Sequence, residues 1–248
     1  MSRTRGVQAA ADEFALAGPR APVPLGSTCA RLAYAAGLAC AVALALLASA
    51  ARAAALSVTL LQHDGKPLPG AVVTVHPLEG LAKPSPPVRA VMDQVNQMFT
   101  PDLLVIPVGS TVEFPNSDTT RHEVYSFSPA HPFQLPLYRG KPYPPERFDK
   151  PGIVTLGCNI HDFMLAYIVV TDAAFYGLTN ASGLWSANGI PAGRYRVDVW
   201  HPRLASGAAA PSRTVVVNDA AAAAVILRLE KPLRPAMLEG HMSSWDAY

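Results

Sequence analysis

Apolar and polar residues alternate in short runs along most of the chain after residue 55. The runs are rich in valine and are bounded by glycine, proline, asparagine and aspartate, which is typical of strands in a half-buried sheet. A 3.6-residue apolar period, typical of an amphipathic helix, is rare outside the N-terminal region. The pattern therefore predicts an all-β fold.

The alternating runs fall into three groups along the chain. The first group, residues 56–76, predicts a β-hairpin in which LSVTLL and AVVTVH are the strands and HDGKPLPG supplies the turn. The second group predicts strands at 103–114, split by a turn at Pro107–Ser110, and at 121–127, 151–158 and 165–172, with a proline-rich loop over 128–150. The third group predicts strands at 193–202, 214–219 and 224–230.

Residues 1–53 read as an export signal. Arginines precede an uncharged run rich in alanine and leucine, which extends from Leu32 to Ala51, and ASA at 48–50 is a small-residue cleavage site. The alternative is an uncleaved anchor, because about 20 apolar residues are enough to cross a bilayer. Export followed by cleavage predicts a periplasmic protein with no stable membrane span.

Charge and cysteine content narrow the classes of function. The 248 residues carry a net charge of +2 with no basic stripe, so nucleic acid is not an expected partner. Cys29 and Cys40 would leave with the export signal, and Cys158 would then have no partner for a disulfide. A lone cysteine in an exported protein is either buried and inert or bound to a metal.

The stretch CNIHDFM places Cys158, His161 and Met164 in one short loop between two predicted strands. Thiolate, imidazole and thioether are soft ligands that suit copper, and two histidines, one cysteine and a distant axial methionine define a blue-copper site. One further histidine is therefore required. His122 and His131 are the two upstream candidates.

His122 is the favoured candidate because it begins a predicted strand just after the PNSD turn at 115–118, which is a rigid place for a ligand. His131 lies in the proline-rich loop and is expected to be more exposed. Zinc is the rival metal, but it would normally require more cysteine or histidine ligands or a carboxylate. Asp162 offers a carboxylate, although its place next to His161 is expected to direct it away from the same centre.

Two longer stretches, LLVIPVGSTVEFPNSDTTRHEV and PGIVTLGCNIHDFMLAYIVV, resemble the cupredoxins, the plastocyanin-like blue-copper family. The Cys-x2-His-x2-Met spacing is similar to that of amicyanin, and the wider pattern resembles bacterial proteins named methylamine utilization proteins. The resemblance covers residues 88–170 and implies a Greek-key β-sandwich with one mononuclear type 1 copper ion. It implies that His122, Cys158 and His161 are the equatorial ligands and Met164 is the weak axial ligand.

The chain departs from the family pattern at two positions. Family members usually place asparagine directly after the first ligand histidine, where this chain has Glu123, and often place an aromatic residue before the ligand cysteine, where this chain has Gly157. Glu123 is expected to add a carboxylate near the metal, which would favour the oxidised ion. Asn116 falls in the Asn-x-Asp turn that precedes the first ligand in many members. Most of the carboxylates Asp93, Asp102, Glu113 and Asp118 are expected to be solvated.

The flanking segments resemble a second module. HDGKPLPGAVVTV, GIPAGRYRVDVWHP and AVILRLE are similar to a carboxypeptidase-regulatory or transthyretin-like β-sandwich. That resemblance implies a discontinuous domain over 56–80 and 171–231, with the cupredoxin domain inserted in it. The alternative is that 56–76 supplies the first strands of the cupredoxin, and 232–248 is expected to be a poorly ordered tail.

Three functions compete on these residues. The first is a periplasmic carrier of single electrons between a dehydrogenase or c-type cytochrome and another redox partner, which is not an enzyme. The second is a copper-binding or copper-delivery protein of the cell envelope. The third is a structural envelope unit, which a complete four-ligand set argues against. Multicopper oxidase chemistry is not expected, because it needs His-x-His pairs and the sequence contains none.

Overall fold

The computed structural model describes residues 54–79, 83–205, 211–218 and 222–235. The predicted export signal and residues 236–248 of the predicted tail lie outside this range. The described residues form seventeen β-strands, which confirms the predicted all-β class. No helix in the described part of the chain has the length and apolar character needed to cross a bilayer.

The strands are β1 (Ala54–Leu61), β2 (Val72–Pro77), β3 (Arg89–Val91), β4 (Asp93–Val95), β5 (Met98–Thr100), β6 (Leu103–Pro107), β7 (Ser110–Glu113), β8 (His122–Ser126), β9 (Phe133–Tyr138), β10 (Glu146–Phe148), β11 (Gly152–Cys158), β12 (His161–Thr171), β13 (Phe175–Leu178), β14 (Leu184–Ile190), β15 (Gly193–Trp200), β16 (Ser212–Val217) and β17 (Ala223–Arg228).

The first and last strands of the chain surround one hydrophobic core, here called the terminal core. It lies among two sheets with the strand orders β14-β1-β17 and β13-β2-β15-β16. Alternate residues of β1 (Leu56, Val58 and Leu60) are fully buried in it, and their neighbours are partly exposed. The alternation seen in the sequence therefore marks the inward face of this strand.

Strands β3–β12 surround a second hydrophobic core, here called the central core. A five-stranded sheet of order β6-β12-β11-β8-β9 and a three-stranded sheet of order β10-β7-β3 enclose it, and β4 and β5 form a separate two-stranded ladder. Cys158 and Met164 belong to this core. The candidate ligands of the sequence analysis are thus carried by the five-stranded sheet.

Strand β12 is buried on both faces near its end. Ile168 and Val170 enter the central core, whereas Val169 packs with Leu103 and Val72 in a third, smaller cluster. Because Val72 belongs to β2, this cluster joins the outer face of the five-stranded sheet to the sheet that contains β2. The continuous apolar run IVV in the sequence follows from burial on two sides.

The predicted hairpin over 56–76 is wrong. The turn itself forms, and Gln62 N–H donates to Lys66 O at 2.7 Å within it. The two strands do not pair with each other, however, because β1 pairs with β14 and β17 and β2 pairs with β13 and β15. The intervening chain crosses from one sheet to the other and is tied down by Thr179, which accepts from Ala71 N–H at 3.0 Å and donates to Leu68 O at 2.6 Å. Turn chemistry therefore predicted the bend but not the pairing.

The predicted loop over 128–150 contains two strands, β9 and β10. Proline normally demotes a run to a non-strand or to an edge strand, because it has no N–H to donate to a ladder. Pro136 lies in β9, and β9 is the edge of the five-stranded sheet. The predicted split of 103–114, in contrast, is confirmed, since β6 ends at Pro107 and β7 begins at Ser110.

Candidate metal centre

A tight hairpin carries the CNIHDFM motif. Strand β11 ends at Cys158, β12 begins at His161, and these two residues pair across the turn. The next pair is Gly157 with Leu165, so three residues of β12 bulge out of the ladder between the two pairs. The bulge lets Met164, the residue before Leu165, be buried in the same core as Cys158.

The third candidate ligand arrives on the neighbouring strand. His122 is the first residue of β8, and β8 pairs with β11 through Tyr125 and Gly157. Asn116 braces the loop before His122: its Nδ2 donates to Thr120 O at 2.9 Å and to Tyr138 O at 2.7 Å. The start of β8 is therefore held in place by buried hydrogen bonds and not by the strand ladder alone.

The structure brings His122, Cys158 and His161 into one group. His122 Nδ1 lies 3.1 Å from His161 Nδ1, and Cys158 Sγ lies 4.0 Å from His122 Nδ1 and 3.8 Å from His161 Nδ1. His122 and Cys158 are 0% and 2% exposed, and His161 is partly exposed. Cys158 is a free thiol. Two imidazole nitrogens and one sulfur thus converge at the inner end of the hairpin.

The three separations fit a single metal ion. With bonds of about 2.05 Å to imidazole nitrogen and 2.3 Å to thiolate sulfur, one ion could contact all three atoms, because each observed separation of 3.1, 3.8 or 4.0 Å is shorter than the sum of the two bonds. His122, His161 and Cys158 would therefore be able to hold one ion together.

His122 has a second hydrogen bond on the side away from the group. Its Nε2 lies 3.0 Å from Asp118 Oδ2, which also accepts from Gln97 N–H at 2.7 Å. The bond to His122, followed by the bond from Gln97, lowers the pKa of the Asp118 carboxyl below its usual value. Because an ionised carboxylate can only accept, this contact fits the imidazole tautomer with its proton on Nε2, in which the lone pair of Nδ1 is on the side of Cys158.

His161 is the member of the group that reaches the surface. Burial, and secondarily the neighbouring His122, lowers the pKa of His161, so its imidazole is neutral near pH 7 and able to bind a metal. Ile160 and Phe163 on either side are 48% and 43% exposed, and the Phe163 ring centroid lies 5.7 Å from that of His161. The imidazole edge is thus bordered by exposed apolar side chains.

Two residues that the sequence offered as ligands lie elsewhere. His131 Nε2 lies 3.3 Å from Glu146 Oε2, and its ring packs against Phe133 and Phe148 with centroids 5.0 and 4.4 Å away. Asp162 is exposed and does not belong to the group. Among the described residues, the histidine that joins Cys158 and His161 is His122.

The carboxylates differ from the sequence expectation. Glu123 is buried and accepts a hydrogen bond from the Gln134 side chain on β9, and it is not part of the three-residue group. The carboxylate that contacts a candidate ligand is Asp118, one of four carboxylates of which most are expected from the sequence to be solvated. The signal in the sequence is its place in the PNSD turn, four residues before His122.

Gly157 makes room for an aromatic ring from the neighbouring strand. A Cβ atom at this position would lie 2.8 Å from Cζ and from Oη of Tyr125, closer than side chains tolerate. Tyr125 also contacts Phe127, with ring centroids 5.1 Å apart. An aromatic side chain therefore covers the backbone next to Cys158, although it comes from β8 and not from position 157.

No family model and no curated protein matches the chain. Among solved structures, a Cu-containing nitrite reductase from Thermus scotoductus SA-01 is 31% identical over 39% of this chain and 25% of its own length, with a TM-score of 0.32. A novel purple cupredoxin from Nitrosopumilus maritimus is 21% identical over 33% of this chain and 99% of its own, with a TM-score of 0.30. A mutant of amicyanin in the Cu(I) form is 21% identical over 34% and 82%, with a TM-score of 0.31. The chain thus spans a quarter of the length of the nitrite reductase.

Proposed function

We propose that the chain binds one copper ion in a type 1 site and carries single electrons. The observation that supports this most directly is the convergence of His122 Nδ1, His161 Nδ1 and Cys158 Sγ within 3.1 to 4.0 Å of one another. Two histidines, one cysteine and a weak methionine donor are characteristic of blue copper, whereas structural zinc normally has more cysteine or histidine ligands.

Met164 is the proposed fourth, axial donor. It is 2% exposed and is buried with Cys158 at the end of the hairpin. Four protein donors would leave no open coordination position for a substrate, which supports a carrier and not an enzyme. Copper itself supplies the one-electron chemistry, and the role of the chain is to hold the donors in one arrangement for both oxidation states.

The exposed edge of His161 is the proposed route for the electron. It is the donor with access to solvent, and the exposed side chains of Ile160 and Phe163 border it. We propose a redox protein, either a dehydrogenase or a c-type cytochrome, as the partner that docks there. The export signal read in residues 1–53 supports a periplasmic location.

The test is a Cu(II) titration of the full chain followed by visible absorption and EPR spectroscopy. We expect an intense thiolate-to-copper band with narrow copper hyperfine splitting, lost in Cys158→Ser and His122→Ala. His131→Ala is the matched control, because it removes an imidazole from the loop between β8 and β9 that does not belong to the group. Copper binding without the band would instead favour the copper-binding or delivery role.

A further inference from the structure

Asp118 occupies a position in which its charge acts on a candidate ligand. Its Oδ2 lies 3.0 Å from Nε2 of His122, and the side chains of these residues are 13% and 0% exposed. The ring of His122 therefore has the Cys158 sulfur and a second imidazole on its Nδ1 side and a carboxylate on its Nε2 side. The carboxylate and the imidazole are therefore in direct contact and largely shielded from solvent.

Both oxygens of Asp118 are fixed by backbone donors. Oδ2 accepts from Gln97 N–H at 2.7 Å, and Oδ1 accepts from Thr119 N–H at 3.0 Å. Asp118 N–H in turn donates to Asn116 Oδ1 at 2.9 Å. The carboxylate thus keeps its orientation toward His122 because groups outside the ligand set hold it.

The hairpin of β4 and β5 provides the donor at Gln97. Its turn residues, Asn96 and Gln97, have φ values of 53° and 58°, the left-handed conformation that a two-residue hairpin turn requires. Asp93 at the start of β4 accepts from both Ser117 N–H and Ser117 Oγ, at 3.1 and 2.7 Å. The hairpin is therefore fastened to the loop that carries Asp118.

We propose that Asp118 is a positioning residue that acts through His122 to stabilise the oxidised form of the bound metal. A carboxylate on the far nitrogen of a ligand histidine fixes its tautomer and ring orientation and makes it a more basic donor. A more basic donor, together with an adjacent negative charge, favours the higher oxidation state. The inference rests on the proposed copper site, and it predicts that removal of Asp118 raises the reduction potential.

Two substitutions separate charge from hydrogen bonding. Asp118→Asn removes the charge but keeps an oxygen that can accept from His122, whereas Asp118→Ala removes both. We expect the reduction potential of the copper-loaded full chain, measured by voltammetry, to rise in both variants. We expect Cu(II) affinity to fall about 10- to 100-fold in Asp118→Ala, with a smaller fall for Cu(I).

Asp162→Asn is the control with the same loss of charge. Asp162 is exposed and lies next to His161, so its charge is near the site but is screened by water and ions. We expect its potential to stay close to that of the unchanged chain. A rise in Asp118→Asn no larger than that in Asp162→Asn would overturn the role of the Asp118 charge.

A readout without copper separates this inference from the proposed function. In the metal-free chain, nitrogen NMR should show His122 with its proton on Nε2, and this preference should be lost in Asp118→Ala. An unchanged His122 tautomer in Asp118→Ala would overturn the positioning role. If the unchanged chain has no blue-copper band, the proposed function fails, and the tautomer measurement still decides whether Asp118 positions His122.

Discussion

Asn116→Ala should weaken both the fold and the metal site, because Asn116 is the buried brace of the loop before His122. The side chain is 3% exposed and makes three hydrogen bonds. It donates to Thr120 O and Tyr138 O and accepts from Asp118 N–H. Alanine removes all three and leaves these groups of the backbone without that partner.

The expected loss follows from the number and burial of these bonds. Each intramolecular hydrogen bond contributes about 1 kcal/mol net, and a buried group left without a partner costs about 1–3 kcal/mol. Asn116→Ala should therefore lower the free energy of unfolding by about 2–4 kcal/mol. The same change frees the loop that positions Asp118 and His122, so copper affinity should fall as well.

Asn180→Ala is the matched control. Asn180 braces a turn in the same way, with Oδ1 accepting from Ser182 N–H at 2.9 Å and Leu184 N–H at 3.0 Å, but it is exposed and belongs to a turn before β14. Water can replace its bonds, so we expect a loss below about 1 kcal/mol. Urea unfolding and a Cu(II) titration of both variants measure the effects. Equal stability of the two variants, or unchanged copper binding by Asn116→Ala, would show that Asn116 does not brace the loop before His122.

Two further predictions concern His201, which follows β15, and Gly157, which lies in the β11–β12 hairpin. Burial, and secondarily Arg203, lowers the pKa of His201 to about 4, so the unfolded chain takes up a proton below about pH 6.5 that the folded chain refuses until about pH 4. The free energy of unfolding should therefore fall as the pH is lowered from about 6.5 to about 4. His201→Gln should remove at most about 3 kcal/mol of that fall, measured by urea unfolding at pH 7 and pH 4.5. An identical pH dependence in the variant would contradict the role of His201. Gly157→Ala should destabilise the chain because its Cβ would meet the Tyr125 ring. The double variant with Tyr125→Ala should lose less free energy of unfolding than the sum of the two single variants, by at least about 0.5 kcal/mol. Strict additivity of the two unfolding free energies would show that no such contact matters.

Strand positions could be predicted from the sequence because burial acts on every second residue. The alternation in LSVTLL corresponds to the inward face of β1, and the strand runs on either side of CNIHDFM correspond to β11 and β12. Pairing could not be predicted in the same way. The bend after β1 has ordinary turn residues, whereas β13 and β15, the strands that pair with β2, lie far along the chain.

The candidate site also has a part that is local in the sequence and a part that depends on distant segments. The Cys158 and His161 pair is local to one hairpin, so its spacing is visible in the sequence. The surroundings of the site depend on contacts between distant segments: Gln97 fixes Asp118, and Tyr125 covers Gly157. No spacing rule for the ligand loop includes these residues, so the sequence points to Glu123, next to His122 in the chain, and not to Asp118.

X-ray absorption spectroscopy of the Cu(II)-loaded full chain identifies the atoms bound to copper. We expect a first coordination shell that contains two imidazole nitrogens and one thiolate sulfur, contributed by His122, His161 and Cys158. The short thiolate-sulfur contribution should vanish in Cys158→Ser, which leaves at most a longer contact from Met164. A shell of nitrogen and oxygen atoms alone in the unchanged chain would contradict the proposed type 1 copper site.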